Sequence, residues 1–314
     1  MKKLFSILLA AMMLLSLAAC SGGEELRFAT GGAEGTYYGF GSVLAAQASG
    51  VTVTAITSGG SQANIQSLQT EDVEMGFVQT DVMAYAYSGT NLFAETGAVT
   101  NFSTVAALYM EPVQIVTCDP EIKSVADLAG KTVSVGDAGS GVFFNAVDIL
   151  AAYDIDVEED INAVYESFGT SAESLQDGRI DAAFIVAGAP TSAVSTLAAQ
   201  NDVYLVSLDE EHIDTLIADS PYYSEYTIAS DVYGTESDCT TVAVGAVVIA
   251  RDDVSEDAIY AFVSGIFENA ETIAANHAKG NELDLDFAAS VTTVPYHPGA
   301  ARYFAEKGYD VPVK

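Results

Sequence analysis

The stretch LRFATGGAEGTYYGF at residues 26–40 decides the fold class. Residues 26–30 alternate apolar and other side chains as a short strand does, and the run 31–35 that follows is rich in glycine. A helical pattern then begins at Thr36. Strand, glycine turn and helix in this order form the repeating unit of α/β folds with largely parallel sheets. The sequence therefore predicts a strand over 26–30 and a helix over 36–49.

The same unit occurs twice more. Residues 58–61 (SGGS) follow a predicted strand at 51–57, and residues 136–141 (GDAGSG) follow one at 131–135. Glycine lets backbone N–H groups approach a ligand, and a helix N-terminus adds partial positive charge. Each turn by itself could equally be a plain connection. Because ligands of open α/β sheets bind at the carboxyl ends of strands, the three turns together predict a site for a carboxylate or phosphate.

These units fall into two blocks, which predict an α/β protein of two lobes. Lobe I comprises residues 25–117 together with 240–314, and lobe II comprises 118–239. The strands at 113–117 and 241–248 would then be antiparallel neighbours at the hinge. A helix capped by Ser255 extends its apolar face as far as Ile273, and residues 209–238 receive no assignment. The remaining predicted strands are 74–79, 103–109, 112–117, 180–186, 203–207 and 240–249.

Charge excludes several classes of partner. The chain of 314 residues carries 44 Asp+Glu against 11 Lys+Arg, a formal net charge of −33 at pH 7. Nucleic acids and anionic lipid surfaces are bound through Lys and Arg, so both are excluded as electrostatic partners. Half of the residues are apolar, which excludes a disordered chain.

The N-terminus predicts export. Residues 1–19 combine a basic start with a short apolar run, as secretory signal peptides do, and the run is too short to span a membrane. Leu17-Ala18-Ala19-Cys20 resembles the bacterial lipobox, in which Cys20 becomes the lipidated first residue. Ordinary cleavage near Ala19 is the alternative. With residues 20–24 as a tether, we expect an extracytoplasmic protein whose only membrane contact is its lipid anchor.

No pattern predicts catalysis, a metal or a cofactor. Residues 136–141 lack the spacing of a dinucleotide fingerprint, and no P-loop occurs. No Gly-x-Ser-x-Gly elbow or His-Glu-x-x-His motif is present, so we predict no catalytic residue. An exported hydrolase or transferase with an unrecognised site remains the alternative from another class. The three histidines are isolated from one another: His212, His277 and His297.

Taken in order, motifs spread over about residues 25–308 resemble the TAXI family of TRAP-transporter solute receptors. The resemblance implies a two-lobed periplasmic-binding-protein fold, type II-like, with the ligand cleft between the lobes. It also implies a monomer that delivers a small carboxylate, such as glutamate or a dicarboxylic acid, to a multi-spanning membrane permease driven by an ion gradient. The sequence does not distinguish such a transport receptor from a ligand-sensing partner of a chemoreceptor. The motifs are TGG (30–32), GTYY (35–38), SGGS (58–61) with Asn64, VQTD (78–81), KSVADLAGK (123–131), GSG (139–141), DGRIDA (177–182) and HPGA (297–300).

The resemblance also implies which residues line the cleft. Glu34 and Gly39 depart from the family pattern, and an acid beside an anion site favours an amino-acid-like ligand over a dicarboxylate. Asp81 is either an amine contact or a plain helix cap. The ligand-binding residues carried over are Gly35, Thr36, Tyr37, Ser58, Asn64, Gln79 and Asp81 from lobe I, and Gly139, Ser140, Gly141, Ala187 and Gly188 from lobe II.

The hinge hypothesis brings two cysteines together. Cys118 follows one hinge strand and Cys239 precedes the other. Outside the cytoplasm such a pair can form a disulfide. The alternative is that both are free and serve as small apolar residues.

Overall fold

The structure, a computed structural model, describes residues 24–314. The predicted signal peptide, the lipidation site Cys20 and most of the tether lie outside the described residues. Within 24–314, no helix is long and apolar enough to cross a bilayer.

Ten strands form one mixed sheet with the order β2-β1-β3-β10-β4-β7-β5-β6, while β8 pairs with β4 and β9 with β10. β1 pairs parallel with β2 and β3, and β5 pairs parallel with β6 and β7. Each of these parallel sets is the predicted strand–turn–helix unit repeated. The strands are β1 Glu25–Ala29, β2 Thr52–Ile56, β3 Met75–Gln79, β4 Phe102–Thr117, β5 Thr132–Ser134, β6 Asn162–Val164, β7 Ala182–Val186, β8 Tyr204–Leu205, β9 Ser224–Ile228 and β10 Cys239–Arg251.

Helices connect the parallel strands and cover the sheet. The helices are α1 Thr36–Ala45, α2 Ser61–Gln69, α3 Thr80–Ser88, α4 Val142–Ala152, α5 Phe168–Gln176, α6 Ser192–Ala198, α7 Glu210–Asp219, α8 Glu256–Glu268, α9 Ala270–Asn276, α10 Leu285–Ala288 and α11 Pro298–Glu306. Short 3-10 turns lie at Asn91–Phe93, Val125–Leu128, Ser230–Val232 and Ala278–Glu282.

Two long strands run through both halves of the molecule. β4 has 16 residues and β10 has 13, and they pair antiparallel from Phe102 with Arg251 to Pro112 with Ala243. The sequence predicts two strands at 103–109 and 112–117, but β4 is continuous. Pro112, which has no N–H to donate, lies where pairing with β10 ends and pairing with β7 begins at Val113, so the strand continues through it.

Separate apolar cores lie on either side of this pair. The first core draws on β1, β3, α1, α8 and α11, with Phe28, Phe77 and Phe262 at its centre. Two further clusters draw on residues between Val113 and Val244. The domain boundaries at 117 and 240 stay a prediction; the second set of cores includes residues just outside them.

Three local predictions differ from the structure. α1 ends at Ala45, four residues before the predicted end. The helix that Ser255 caps stops at Glu268, because Asn269 has a non-helical backbone and its side chain donates to the Gly265 carbonyl. The unassigned stretch 209–238 contains both α7 and β9.

Cys118 and Cys239 are both free, so the disulfide is not formed. The reason is that β8 occupies the edge of β4 beside Thr117, where the hinge hypothesis placed β10. The segment after β8 continues this separation, since Val206 N–H donates to Ile115 and Leu208 N–H donates to Thr240. This short segment therefore separates the end of β4, which Cys118 follows, from the start of β10, where Cys239 lies.

Candidate functional site

Three helices begin at the same edge of the sheet, and each has glycine as its N-cap. Gly35 precedes α1, Gly60 precedes α2 and Gly141 precedes α4. Within residues 24–314, none of these caps makes a side-chain hydrogen bond to its helix. Glycine supplies no side-chain oxygen to cap the N–H groups of the first turn, so those that the backbone does not satisfy are open to a ligand; Ala63 N–H is taken by the Gly139 carbonyl and Phe144 N–H by the Gly141 carbonyl.

The three N-termini border one cavity of about 570 Å³, measured with its open mouth. Both halves of the molecule contribute to its wall. The lining residues are Gly31, Gly32, Glu34, Gly35, Thr36, Tyr37, Ser58, Gly59, Gly60, Ser61, Gln79 and Glu111 from the first half, and Asp137, Ser140, Gly141, Val142, Ser167, Phe168, Val186 and Ala187 from the second.

The structure brings most of the residues predicted for the cleft to this wall, although their role in binding stays a prediction. The predicted residues in the lining are Gly35, Thr36, Tyr37, Ser58, Gln79, Ser140, Gly141 and Ala187. Asn64, Asp81, Gly139 and Gly188 are not in the lining.

Asn64 instead holds lobe I together. Its side chain is fully buried, and its amide group donates to the carbonyls of Thr30 and Phe77, both at 2.7 Å. Thr30 directly follows β1, next to the glycine turn, and Phe77 lies in the middle of β3. Asn64 therefore positions the cavity wall from behind.

Asp81 lies in the first turn of α3, buried behind the cavity. The side-chain amide of Asn145, on α4, donates to Asp81 at 2.8 Å, and its oxygen accepts from Gln79 at 2.7 Å. The second oxygen of Asp81 has no hydrogen-bond partner within residues 24–314. Burial is the main cause that raises the pKa of Asp81 to about 6. Asp81 therefore connects the two lobes. Its side chain does not cap α3, and because Asp81 is not part of the lining, an amine in the cavity would not contact it.

Gly139 and Gly188 contribute backbone contacts between the lobes. Ala63 N–H donates to the Gly139 carbonyl at 3.0 Å, and the Thr36 hydroxyl donates to the Gly188 carbonyl at 2.9 Å. A side chain at position 188 would collide with Lys279, which crosses from the first lobe. These bonds join the lobes around the cavity, so the structure represents a closed form.

Ser140 and Gly141 fit the cavity in different ways. The Ser140 hydroxyl is buried in the wall and has no hydrogen-bond partner within residues 24–314, so it is free to bond a ligand. Gly141 packs so closely against the side-chain amide of Gln79 that a Cβ atom there would overlap it. Gln79 is fixed in turn by Ser61 and Asn145.

Glu111 is the main residue of the wall that sequence reasoning missed. It is only 1% exposed and accepts hydrogen bonds from the Tyr37 hydroxyl at 2.7 Å and the Tyr109 hydroxyl at 3.2 Å. Burial raises the pKa of Glu111 to about 8, although both hydroxyls and Lys279 act in the opposite direction. One feature of the sequence could have indicated Glu111: it is the single charged residue within β4, a strand of 16 residues.

The wall is acidic. It contains Glu34, Glu111 and Asp137, whereas none of the lining residues is Lys, Arg or His. The Glu34 carboxyl group packs against Gly169 in the first turn of α5, across the cleft, where a helix N-terminus favours negative charge. Any anionic group in the cavity must therefore be bound by backbone N–H groups and hydroxyls.

Metal-ligating side chains and the buried histidine His297 lie as follows. Within 24–314, no group of three or more His, Cys, Asp or Glu could hold a metal ion. His297 caps α11, accepting from Gly299 N–H through Nδ1, while Nε2 contacts the Val254 carbonyl at 3.1 Å. His297 therefore serves as a structural residue of this turn.

Comparison with known proteins agrees with the fold. Residues 28–308 match the model of the NMT1-like family, and the chain belongs to that family. Its architecture is the two-lobed fold of periplasmic binding proteins.

Two solved proteins illustrate the likeness. The alkanesulfonate-binding protein SsuA from Xanthomonas axonopodis pv. citri, bound to MOPS, is 13% identical with a TM-score of 0.50, and the match covers 90% of each chain. An ancestral arginine-binding protein, bound to arginine, is 15% identical with a TM-score of 0.50, covering 80% of this chain and 96% of that one. An ancestral arginine-binding protein bound to glutamine is 16% identical with a TM-score of 0.50, covering 82% of this chain and 97% of that one. At these identities the likeness concerns the fold alone.

Proposed function

We propose that this protein is an extracytoplasmic solute receptor that captures a small carboxylate, and that the solute is an amino acid or a close relative. It then delivers the solute to the membrane permease of a TRAP-type transporter of the TAXI family. The observation that carries this proposal is the cavity between two lobes, into which three glycine-capped helix N-termini open. Such an end binds a carboxylate without any basic side chain.

Other features of the site support the same reading. The unpaired Ser140 hydroxyl offers one further polar contact, and the acids of the wall suit a solute that also carries an ammonium group. Hydrogen bonds from Thr36 and Ala63 across the cleft would couple binding to closure of the lobes. The lipid anchor at Cys20, the monomeric state and the permease partner are parts of the proposal that rest on the sequence.

Thermal-shift measurements on the mature domain test the ligand class. The domain should be screened against the twenty amino acids and a set of mono- and dicarboxylates, with sugars and nucleosides as controls. A ligand at about a hundred times its Kd adds about 2.7 kcal/mol of stability, which raises the Tm by roughly 5–10 °C. Stabilisation by sugars or nucleosides alone would exclude a carboxylate receptor.

The transporter class needs a second experiment. The receptor, its solute and a candidate TRAP-type permease should be reconstituted in proteoliposomes. A TRAP-type system takes up solute when an ion gradient is imposed and does not respond to ATP. Uptake that requires ATP would assign the receptor to an ABC-type system instead.

A further inference from the structure

We infer that Glu111 is the residue that selects the solute, and that it does so by pairing with a cationic group, so that a bound amino acid has its ammonium group at Glu111. The inference deepens the proposed function and rests on it. It concerns one carboxyl group for which the fold itself provides no cationic partner in the cavity wall.

The position of Glu111 supports this inference. It lies on β4, the strand shared by the two halves, and it lines the same cavity as the helix N-termini that would hold a carboxylate. Tyr37 and Tyr109 each donate one hydrogen bond, one to each carboxyl oxygen. Each oxygen therefore keeps accepting capacity that a ligand donor can use.

The charged and titratable groups around Glu111 leave it without a direct counter-ion. Tyr37 on α1 and Tyr109 on β4 are hydrogen-bonded to it, and Asp81 on α3 adds a like charge from a distance. The nearest cation is Lys279, whose ammonium group is paired with Glu282 at 2.5 Å and lies 5.5 Å from the centre of the Tyr109 ring. A buried acid in these surroundings favours its neutral form until a cation arrives.

Binding is therefore coupled to a proton. With Glu111 buried as it is in this structure, its pKa is raised to about 8, so below that pH the carboxyl group favours its neutral form before a cation enters. When an ammonium group enters, this proton leaves to solvent and a carboxylate–ammonium pair forms, so one proton is released per solute bound. Affinity should then rise with pH, by roughly 50-fold from pH 6 to pH 8, and level off above that. An anionic solute that used protonated Glu111 as a donor would show the opposite sign.

Matched pairs of solutes test the inference by isothermal titration calorimetry. Each amino acid is compared with the acid that lacks only its α-amino group: glutamate with glutarate, alanine with propionate, and phenylalanine with 3-phenylpropionate. The wild type should prefer the best-binding amino acid over its partner by at least about 30-fold, and Glu111→Gln should reduce this preference to a few-fold. Titration in two buffers of different ionisation enthalpy should give close to one proton released at pH 6.5 and about half a proton at pH 8, where the ammonium group of the free solute still holds its own proton.

Two variants make the result specific. Tyr37→Phe keeps the carboxyl group and removes a hydrogen bond that lowers its pKa, so the amine preference should persist while the affinity levels off at a higher pH. Glu236→Gln removes an exposed acid that is distant in sequence from the cavity residues. This variant should show the same amine preference and the same pH dependence of affinity as the wild type.

The outcomes separate the two proposals. Equal affinity for an amino acid and its deamino partner, or affinity that falls as pH rises, would overturn the role of Glu111 and leave the carboxylate receptor standing. If the thermal-shift screen finds no amino acid or carboxylate that binds to the wild type, both proposals are wrong.

Discussion

Two buried carboxyl groups, Asp81 and Glu111, lie on either side of the cavity wall in different surroundings. Asp81 contacts Asn145 across the lobes and keeps one oxygen without a partner within residues 24–314. Glu111 faces the cavity and is held by two tyrosine hydroxyls. Both are more easily protonated than an exposed acid, but only Glu111 is placed to meet a solute.

Asp81→Asn should stabilise the protein at neutral and higher pH. The folded-state pKa of Asp81 is about 6 instead of 3.8, so the wild type loses stability as pH rises between these values. The full difference, of order 3 kcal/mol, is reached above pH 6 and is absent near pH 4. Chemical unfolding at pH 4 and pH 8 measures it.

The matched control is Asp310→Asn, which changes an exposed acid and should show no such pH dependence. A variant at position 81 with the same stability difference from wild type at both pH values would contradict the prediction.

At the residue scale, the sequence patterns predicted which residues line the cavity better than they predicted which acid of the wall faces a solute. Ser140, Gly141 and Gln79 follow the ends of strands, so their positions can be predicted from the order of strands and turns. Glu111 could not be assigned to the cavity, because which side chains of a long strand face a cleft depends on how two lobes pack together. Asn64 and Asp81 were predicted to line the cleft from the family resemblance alone, and both are buried outside the lining.

At the scale of secondary structure, a helix N-terminus of one lobe meets a strand end of the other. α4 begins at Gly141, whose φ of −77° is accessible to any residue, so the backbone there does not require glycine. The requirement comes from the Gln79 side chain at the end of β3. Glycine at 141 is therefore needed for the lobes to close and has no part in folding the second lobe.

Gly141→Ala should fold normally and bind weakly. The added methyl group overlaps the Gln79 amide only in the closed form, so the affinity for the solute of the wild type should fall by about 10-fold or more. Calorimetry measures the affinity, and small-angle scattering with saturating solute reports the shift towards an open form.

Gly32→Ala is the control for this prediction, since it lines the same cavity but has no atom within 4 Å of the added carbon. Equal loss of affinity in both variants would show that crowding of the cavity mouth, and not closure, is responsible.

Strand and helix prediction succeeded where a pattern was local and failed where pairing decided the outcome. The glycine turns at 31–35, 58–61 and 136–141 do connect strands to helices. The union of two predicted strands into β4 depends on its partners changing at Pro112. The separation of Cys118 from Cys239 likewise depends on β8, a strand that the sequence predicts at 203–207 but whose pairing with β4 it does not predict.

On the scale of the whole molecule, the net charge of −33 means that exposed acids repel one another throughout the fold. Salt screens this repulsion, so the Tm should rise by at least about 2 °C between 20 and 500 mM NaCl at pH 7.5. Differential scanning calorimetry measures the change. At pH 4, where about half of exposed carboxyl groups carry protons, the increase should be smaller. A Tm that falls with added NaCl would contradict the prediction.

The acidic wall and the acidic surface together set how fast solutes arrive. A dianion approaches the mouth against a repulsive potential, so its association rate constant should increase when salt is added. A zwitterion has no net charge and meets almost no such barrier, and its association rate should be nearly independent of ionic strength. The receptor would thus discriminate during diffusional encounter, before any atom of the cavity has touched the solute.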